Sequence, residues 1–144
     1  MSASCFMVLY TRSWSSESSM RDVEERLKDA KELFESGSSD AARVILLEIL
    51  KQEPNNSTAL LMLGGAYFYE QKFAEAEMVY ERLVLAEPGS GLLSIALFNS
   101  LWNQGKHEDA AGEIRRFIAV ADKVQERETL ERYAEIIKSI AGDD

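Results

Sequence analysis

The sequence predicts an all-α protein, and its composition and punctuation carry that prediction. Ala, Leu, Glu and Lys dominate the middle and end of the 144 residues, and only 2 prolines and 8 glycines interrupt the chain. Hydrophobic residues make up 46% and charged residues 28%, an ordinary balance for a globular protein. At this length the chain has room for one compact domain.

A period of 34 residues is the most informative pattern in the chain. Pro54 and Pro88 are 34 residues apart, and each follows a helical run that ends in a glutamate. Because proline cannot continue a helix and disfavours helical geometry in the residue before it, each proline marks a helix end. We therefore expect residues 57–90 to form two antiparallel helices that cross closely at the small residues Gly64 and Ala76.

Residues 57–90 resemble the tetratricopeptide-repeat (TPR) family. The residues that carry the resemblance are Leu60, Leu63, Gly64, Tyr67, Ala76, Tyr80 and Pro88. The resemblance implies a right-handed α-solenoid of antiparallel helix pairs, a fold whose members bind other polypeptides.

The same frame extends in both directions, to residues 23–56 and 91–124. In the first copy Leu27, Ala30, Leu33, Gly37, Ala42 and Leu46 recur at the expected offsets. In the third copy Ile95, Leu97, Leu101, Gly105, Ala110 and Ile114 do so. The third copy departs from the pattern, because Phe98 replaces a small residue and Asp122 replaces the closing proline. Phe98 needs extra space, so we expect a splayed helix pair or a neighbouring gap there.

After Asp122 the pattern fits only if the frame moves by two residues, which predicts one capping helix over about 127–141. We expect Leu130, Tyr133 and Ile137 to be buried and the charged residues between them to face water. The expected helices are 21–36, 39–52, 57–70, 73–86, 91–104, 107–120 and 127–141.

Residues 1–20 do not belong to the repeat, so the repeat domain is assigned to 21–144. Seven of the first twenty residues are serine, and residues 5–10 form an apolar run of six. A secretory signal begins with a basic residue before its apolar core, and residues 1–4 contain no lysine or arginine. No apolar run in the chain approaches the roughly 20 residues that a membrane-spanning helix needs. Two interpretations remain, a flexible leader and an apolar segment that folds back onto the repeats.

The TPR resemblance implies that the first helix of each repeat lines a concave, peptide-binding groove. The predicted groove residues are Leu27, Lys31, Phe34, Leu61, Gly65, Phe68, Tyr69, Ile95, Asn99 and Trp102. One TPR subclass grips an acidic chaperone C-terminus with a clamp of Lys and Asn in the first repeat, Asn in the second, and Lys and Arg in the third. None of the matching positions here carries the residue type that the clamp has at that position. They are, in the same order, Leu27, Lys31, Met62, Leu92 and Ala96. The alternative is that some apolar groove residues pack between helices, with Phe34 and Leu92 the first candidates.

Composition excludes several classes of function. Acidic residues outnumber basic ones by 25 to 16, which disfavours nucleic acids and anionic membranes as partners. Cys5 and His107 are the only cysteine and histidine, so the sequence shows neither a nucleophile–base pair nor a zinc site. Glycine-rich phosphate-binding motifs are absent as well. We therefore predict a cytoplasmic protein that is not an enzyme and uses no cofactor or metal.

The leading functional hypothesis is a scaffold that binds an apolar or amphipathic polypeptide segment. Its small size, acidity and apolar groove resemble the TPR chaperones of bacterial secretion. An oligomeric assembly factor, in which the groove or the Phe98 face meets another copy, is one alternative. A neutralising partner of a toxin or enzyme is another. The expected partner is a protein or peptide, and the chain itself is expected to be a monomer or a weak homo-oligomer.

Overall fold

The computed structural model describes residues 22–142, which form seven helices and no strand. The helices are α1 (22–35), α2 (Ser39–Gln52), α3 (Ser57–Tyr69), α4 (Phe73–Ala86), α5 (Gly91–Trp102), α6 (His107–Val120) and α7 (Arg127–Gly142). They agree with the predicted helices to within two residues at every described end. The all-α helical repeat is therefore confirmed. The prediction of a leader over residues 1–20 lies outside the described residues, and no helix within 22–142 is long and apolar enough to span a membrane.

The chain divides into two compact units, Met1–Ala59 and Leu60–Asp144. In the described part of the first unit, α1 and α2 form a helix pair around small and branched side chains. Ala30 and Ala42 are completely buried, as predicted for a close crossing of the two helices. Arg26 on α1 also donates a hydrogen bond of 2.6 Å to the Glu48 carboxylate on α2.

The turns inside the three helix pairs share one backbone feature at a spacing of 34 residues. Gly37, Gln71 and Gly105 all have positive φ angles, of 88°, 61° and 78°. Glycine adopts this left-handed conformation without a steric penalty, whereas Gln71 carries a Cβ that makes it unfavourable. The repeat therefore imposes the turn geometry on its middle copy, where the residue type does not favour it.

In the second unit, α3 and α4 approach each other most closely at Gly64. A Cβ atom built on Gly64 would lie 2.9 Å from the ring of Tyr80 and 3.3 Å from Val79. Tyr80 is itself buried, so its ring fills the space that the missing side chain leaves. A larger residue at position 64 would press on the Tyr80 ring, so the close approach of α3 and α4 favours glycine here.

Phe98 is accommodated by a neighbouring helix. It is 6% exposed, and its ring contacts Tyr133 of α7 at a centroid distance of 5.8 Å. The Tyr133 ring also meets Phe117 of α6 at 5.7 Å, so α7 inserts one aromatic side chain between α5 and α6. Tyr133 thus covers the Phe98 ring, and the expected splay or gap in the third helix pair stays a prediction.

A buried polar cluster fixes α7 on the third repeat. The Ser94 hydroxyl donates to the Glu113 carboxylate at 2.6 Å and lies 2.7 Å from the Tyr133 hydroxyl. Arg116 donates two hydrogen bonds of 2.6 Å to the same carboxylate, which keeps a buried charge paired. Burial raises the pKa of Tyr133 to about 12, so this phenol stays protonated in the folded protein at neutral pH.

Between α6 and α7, Asp122 stands where the earlier repeats have their closing proline, and its side chain forms the turn. The Asp122 carboxylate accepts hydrogen bonds of 2.9 Å from the backbone N–H groups of both Val124 and Gln125. These bonds lower the pKa of Asp122 and form the turn that leads into α7. Two expectations for α7 were wrong, because Ile137 is 46% exposed and Leu130 is half-buried, whereas both were expected to be buried. Residues 137–142 of the helix are all exposed.

Candidate functional site

Helices α3 and α5 contain no charged residue, and this distinguishes them from the other helices of residues 22–142. A helix that is apolar on all sides is normally covered on all sides. Several apolar side chains of α3 and α5 are nevertheless exposed. Leu61 is 39%, Tyr69 88%, Leu92 74% and Trp102 38% accessible to solvent. The exposed side of these two helices is therefore a candidate interaction surface.

Between α3 and α5 this surface contains a cavity of about 330 Å³ that is open to solvent. Four of the predicted groove residues line it, namely Leu61, Phe68, Ile95 and Asn99. Its other lining residues are Tyr80, Leu92, Leu93 and Ala96. The cavity is at the small end of the range for ligand pockets, a size suited to one or two large side chains of a partner.

Polar groups are scarce in this cavity, which we call the α3–α5 cavity. Asn99 supplies an amide, and Tyr80 is the only ionisable residue of the lining. Burial raises the pKa of Tyr80, so its phenol is uncharged at neutral pH. Because the lining offers no charged group, the α3–α5 cavity suits an apolar side chain far better than a carboxylate or an ammonium group.

Phe68 is held in place beside the cavity. Its ring meets Phe73, the first residue of α4, at 5.1 Å in an edge-to-face arrangement that aromatic pairs prefer. One turn earlier, Gly65 leaves open space, since a Cβ atom there would meet no heavy atom within 4 Å. Tyr69 follows Phe68 and is almost fully exposed at the end of α3.

Trp102 lies apart from the α3–α5 cavity and borders a second one. That cavity has a volume of about 450 Å³ and lies between α5 and α7, where Phe98 and Ile136 also line it. The Trp102 ring stacks on Phe98 at 5.7 Å, and its centroid is 4.0 Å from that of His107. Arg132 and Glu135 lie on the rim, so this cavity is less uniformly apolar than the first.

The remaining predicted groove residues belong to the first unit. Leu27 and Phe34 are half-buried on α1, and Lys31 on the same helix is exposed. None of the three is fully enclosed between helices. The structure thus brings four predicted residues together in one cavity and places Trp102 at another.

For Leu92 the sequence left two interpretations open, a groove residue or a residue packed between helices. It lines the α3–α5 cavity with 74% of its surface exposed. Leu93, its neighbour, is buried and also reaches the cavity, as does Ala96 one turn later. The absence of charge along all of α5 was the available signal for these residues. Among residues 22–142, no group of three or more histidines, cysteines or carboxylates is arranged to hold a metal ion.

Residues 24–90 match the family model described as tetratricopeptide repeat. These residues belong to the tetratricopeptide-repeat family. The match covers α2, α3 and α4 in full and α1 from its third described residue. A comparison with curated proteins finds no match to this chain.

The TPR match ends at Ser90, immediately before α5. This boundary coincides with the irregular third copy, in which Phe98 takes the place of the small residue that Gly64 provides in the second. TPR segments generally act as scaffolds for protein–protein interaction, and the match over residues 24–90 indicates that broad role for this part of the chain.

Proposed function

We propose that this chain binds an apolar or amphipathic polypeptide segment on the exposed side of α3 and α5, as a chaperone or adaptor in the cytoplasm. The α3–α5 cavity supports this proposal, because it joins four predicted groove residues in one apolar recess. In the proposal, a large apolar side chain of the partner enters this recess. The chain itself carries out no catalysis.

The energetics favour an apolar partner. Fully burying one leucine or phenylalanine contributes about 1.5–3 kcal/mol, and Leu61, Phe68 and Leu92 each retain surface to bury. Three or four such side chains together would support binding in the micromolar range after the costs of association are met. The partner's own anchor residue adds to this sum from the other side of the interface.

The proposed ligand is recognised through its side chains and not through a terminal carboxylate. No lysine or arginine lines the α3–α5 cavity, so an acidic terminus would lose its water without gaining a partner there. The net charge of −9 adds a general repulsion toward acidic segments.

The decisive experiment is affinity capture from the native lysate with wild type and Leu92→Lys. Leu92 is exposed, so the substitution places a charge at the cavity mouth with little expected effect on folding. Val124→Lys is the matched control, because Val124 is 86% exposed and lies in the turn before α7. We expect Leu92→Lys to lose the partner and Val124→Lys to retain it.

Circular dichroism should show unchanged helical content in both variants. A difference in capture then reports a difference in binding and not a loss of folding. Equal capture by Leu92→Lys and wild type would refute the proposed site. Capture that is lost equally in the two variants would point to a general effect of added positive charge.

The alternative is an oligomeric assembly factor. Its proposed contact through the Phe98 face is weakened by the structure, since Phe98 is only 6% exposed under Tyr133. Self-association through the α3–α5 surface stays open, as does neutralisation of a toxin or enzyme. Light scattering at low micromolar concentration distinguishes self-association from binding of a different protein. If the chain is a monomer at that concentration, the α3–α5 surface is not occupied by a second copy and its partner is a different protein.

A further inference from the structure

One edge of α7 carries an apolar stripe, the α7 seam, formed by Leu130, Ala134, Ile137 and Ala141. Their successive spacings of four, three and four residues place them on one side of the helix, as in the seam of a coiled coil. Leu130 is half-buried and the other three are exposed, with Ile137 at 46%. Within residues 22–142, no helix covers this edge.

The seam differs from the side by which α7 is attached to its own chain. On that side Tyr133 contacts Phe98, Phe117 and Ser94. The Tyr133 side chain is completely buried. The seam begins at Leu130 beside this attached side and continues into the less enclosed C-terminal half. A continuous apolar stripe on an exposed helix is a candidate contact for a partner with a matching apolar stripe.

Charge beside the seam indicates which partner that is. Glu131 and Lys138 both directly follow a seam residue, at positions seven residues apart along the same border. Seven residues correspond to two helical turns, or about 10 Å. Both side chains are exposed, and within residues 22–142 their one ion pair is a contact of 3.7 Å between Glu131 and Arg127, both largely in solvent.

We propose that the α7 seam is a homodimer contact in which α7 of a second copy lies antiparallel to it. A two-fold axis near the middle of the seam sets Leu130 against Ala141 of the partner copy, and Ala134 against Ile137. The same operation brings Glu131 of each copy beside Lys138 of the other, which gives two equivalent ion pairs. The surface is therefore complementary to itself in charge as well as in apolar pattern.

A parallel arrangement lacks this complementarity. Its two-fold axis runs along the helices and sets the border that carries Glu131 and Lys138 against the opposite border of the other copy, so these two residues do not pair. The antiparallel pair is also small, because the seam has four residues and two of them are alanine. We therefore expect weak association, with a dissociation constant on the order of 100 µM.

Sedimentation equilibrium of the full chain, at concentrations up to on the order of 1 mM, tests the proposal. Glu131→Lys and Lys138→Glu are each expected to weaken dimerisation by about three- to tenfold, because each replaces both ion pairs with repulsions. An equimolar mixture of the two variants restores complementary pairs, so its association should return to the wild-type level. The double variant Glu131→Lys/Lys138→Glu should also associate like wild type.

Ile137→Glu is expected to abolish the dimer, and Leu85→Glu on α4 is the control, since Leu85 is 81% exposed and far from α7 in the chain. A wild-type chain that stays monomeric at the highest concentration would overturn the proposal. A dimer that ignores either single charge reversal would overturn it too, because its contact would then lie elsewhere. A seam covered by residues 1–21 of the same chain gives the monomeric result.

Discussion

Two adjacent glycines in α3 allow a direct test of the helix packing. A Cβ at position 64 would lie 2.9 Å from the ring of Tyr80, whereas a Cβ at position 65 would meet nothing within 4 Å. Both substitutions to alanine gain the same helix propensity, about 1 kcal/mol. Only Gly64→Ala also pays for overpacking against a buried ring, which costs about 1–3 kcal/mol. We therefore expect Gly65→Ala to stabilise the protein and Gly64→Ala to be less stable than Gly65→Ala by about 1–3 kcal/mol.

Urea unfolding followed by circular dichroism measures this difference, and thermal unfolding should show about 2–4 °C for each kcal/mol at this chain length. Replacing Tyr80 by leucine removes the ring atoms and should remove most of the penalty of Gly64→Ala, a coupling that a double-mutant cycle isolates. Equal stabilisation by the two alanines would refute the close approach of α3 and α4.

Three further predictions concern the turns and the buried cluster. Ser94→Ala should cost about 1–3 kcal/mol in urea unfolding, more than Tyr133→Phe, because it leaves two buried polar partners without their shared hydroxyl; a smaller loss than for Tyr133→Phe would contradict the cluster. The raised pKa of Tyr133 means that its contribution to stability is complete below pH 10 and is lost as the pH rises toward about 12. The alkaline fall in thermal midpoint should accordingly be shallower in Tyr133→Phe, and identical pH profiles would count against burial of the phenol. Gln71→Gly should raise stability by about 1 kcal/mol, since φ is 61° there; a loss of stability would show that the glutamine side chain has a role the backbone does not explain.

The helix boundaries could be predicted because strong local signals repeat with a fixed period. Proline cannot continue a helix, and α2 and α4 each end two residues before Pro54 and Pro88. Gly37 and Gly105 occupy left-handed positions that favour glycine. Gln71 fills the same position without a local signal, yet the turn forms there as well. Periodicity was therefore the more reliable guide, because the packing of each helix pair imposes the same turn on every copy.

Contacts of individual side chains were harder to predict, since they depend on which side of a helix faces its neighbours. Phe98 signalled a need for space, but nothing local indicated that Tyr133, 35 residues later, would fill it. Ile137 fits the buried pattern of α7 and is nevertheless half-exposed, whereas Ile136 and Ile140 line the cavity that Phe98 and Trp102 also border. Leu92 had two open interpretations, and it is 74% exposed although Gly91 and Leu93 beside it are buried.

Photo-crosslinking from position 92 tests the central claim most directly. A photoreactive amino acid in place of Leu92, at the mouth of the α3–α5 cavity, should form a covalent adduct with a polypeptide partner in the native cell or lysate. The same group in place of Val124 should give no such adduct, although Val124 is 86% exposed and Leu92 is 74% exposed. Adducts from position 124 but not from position 92 would contradict the proposal that the exposed side of α3 and α5 binds the partner.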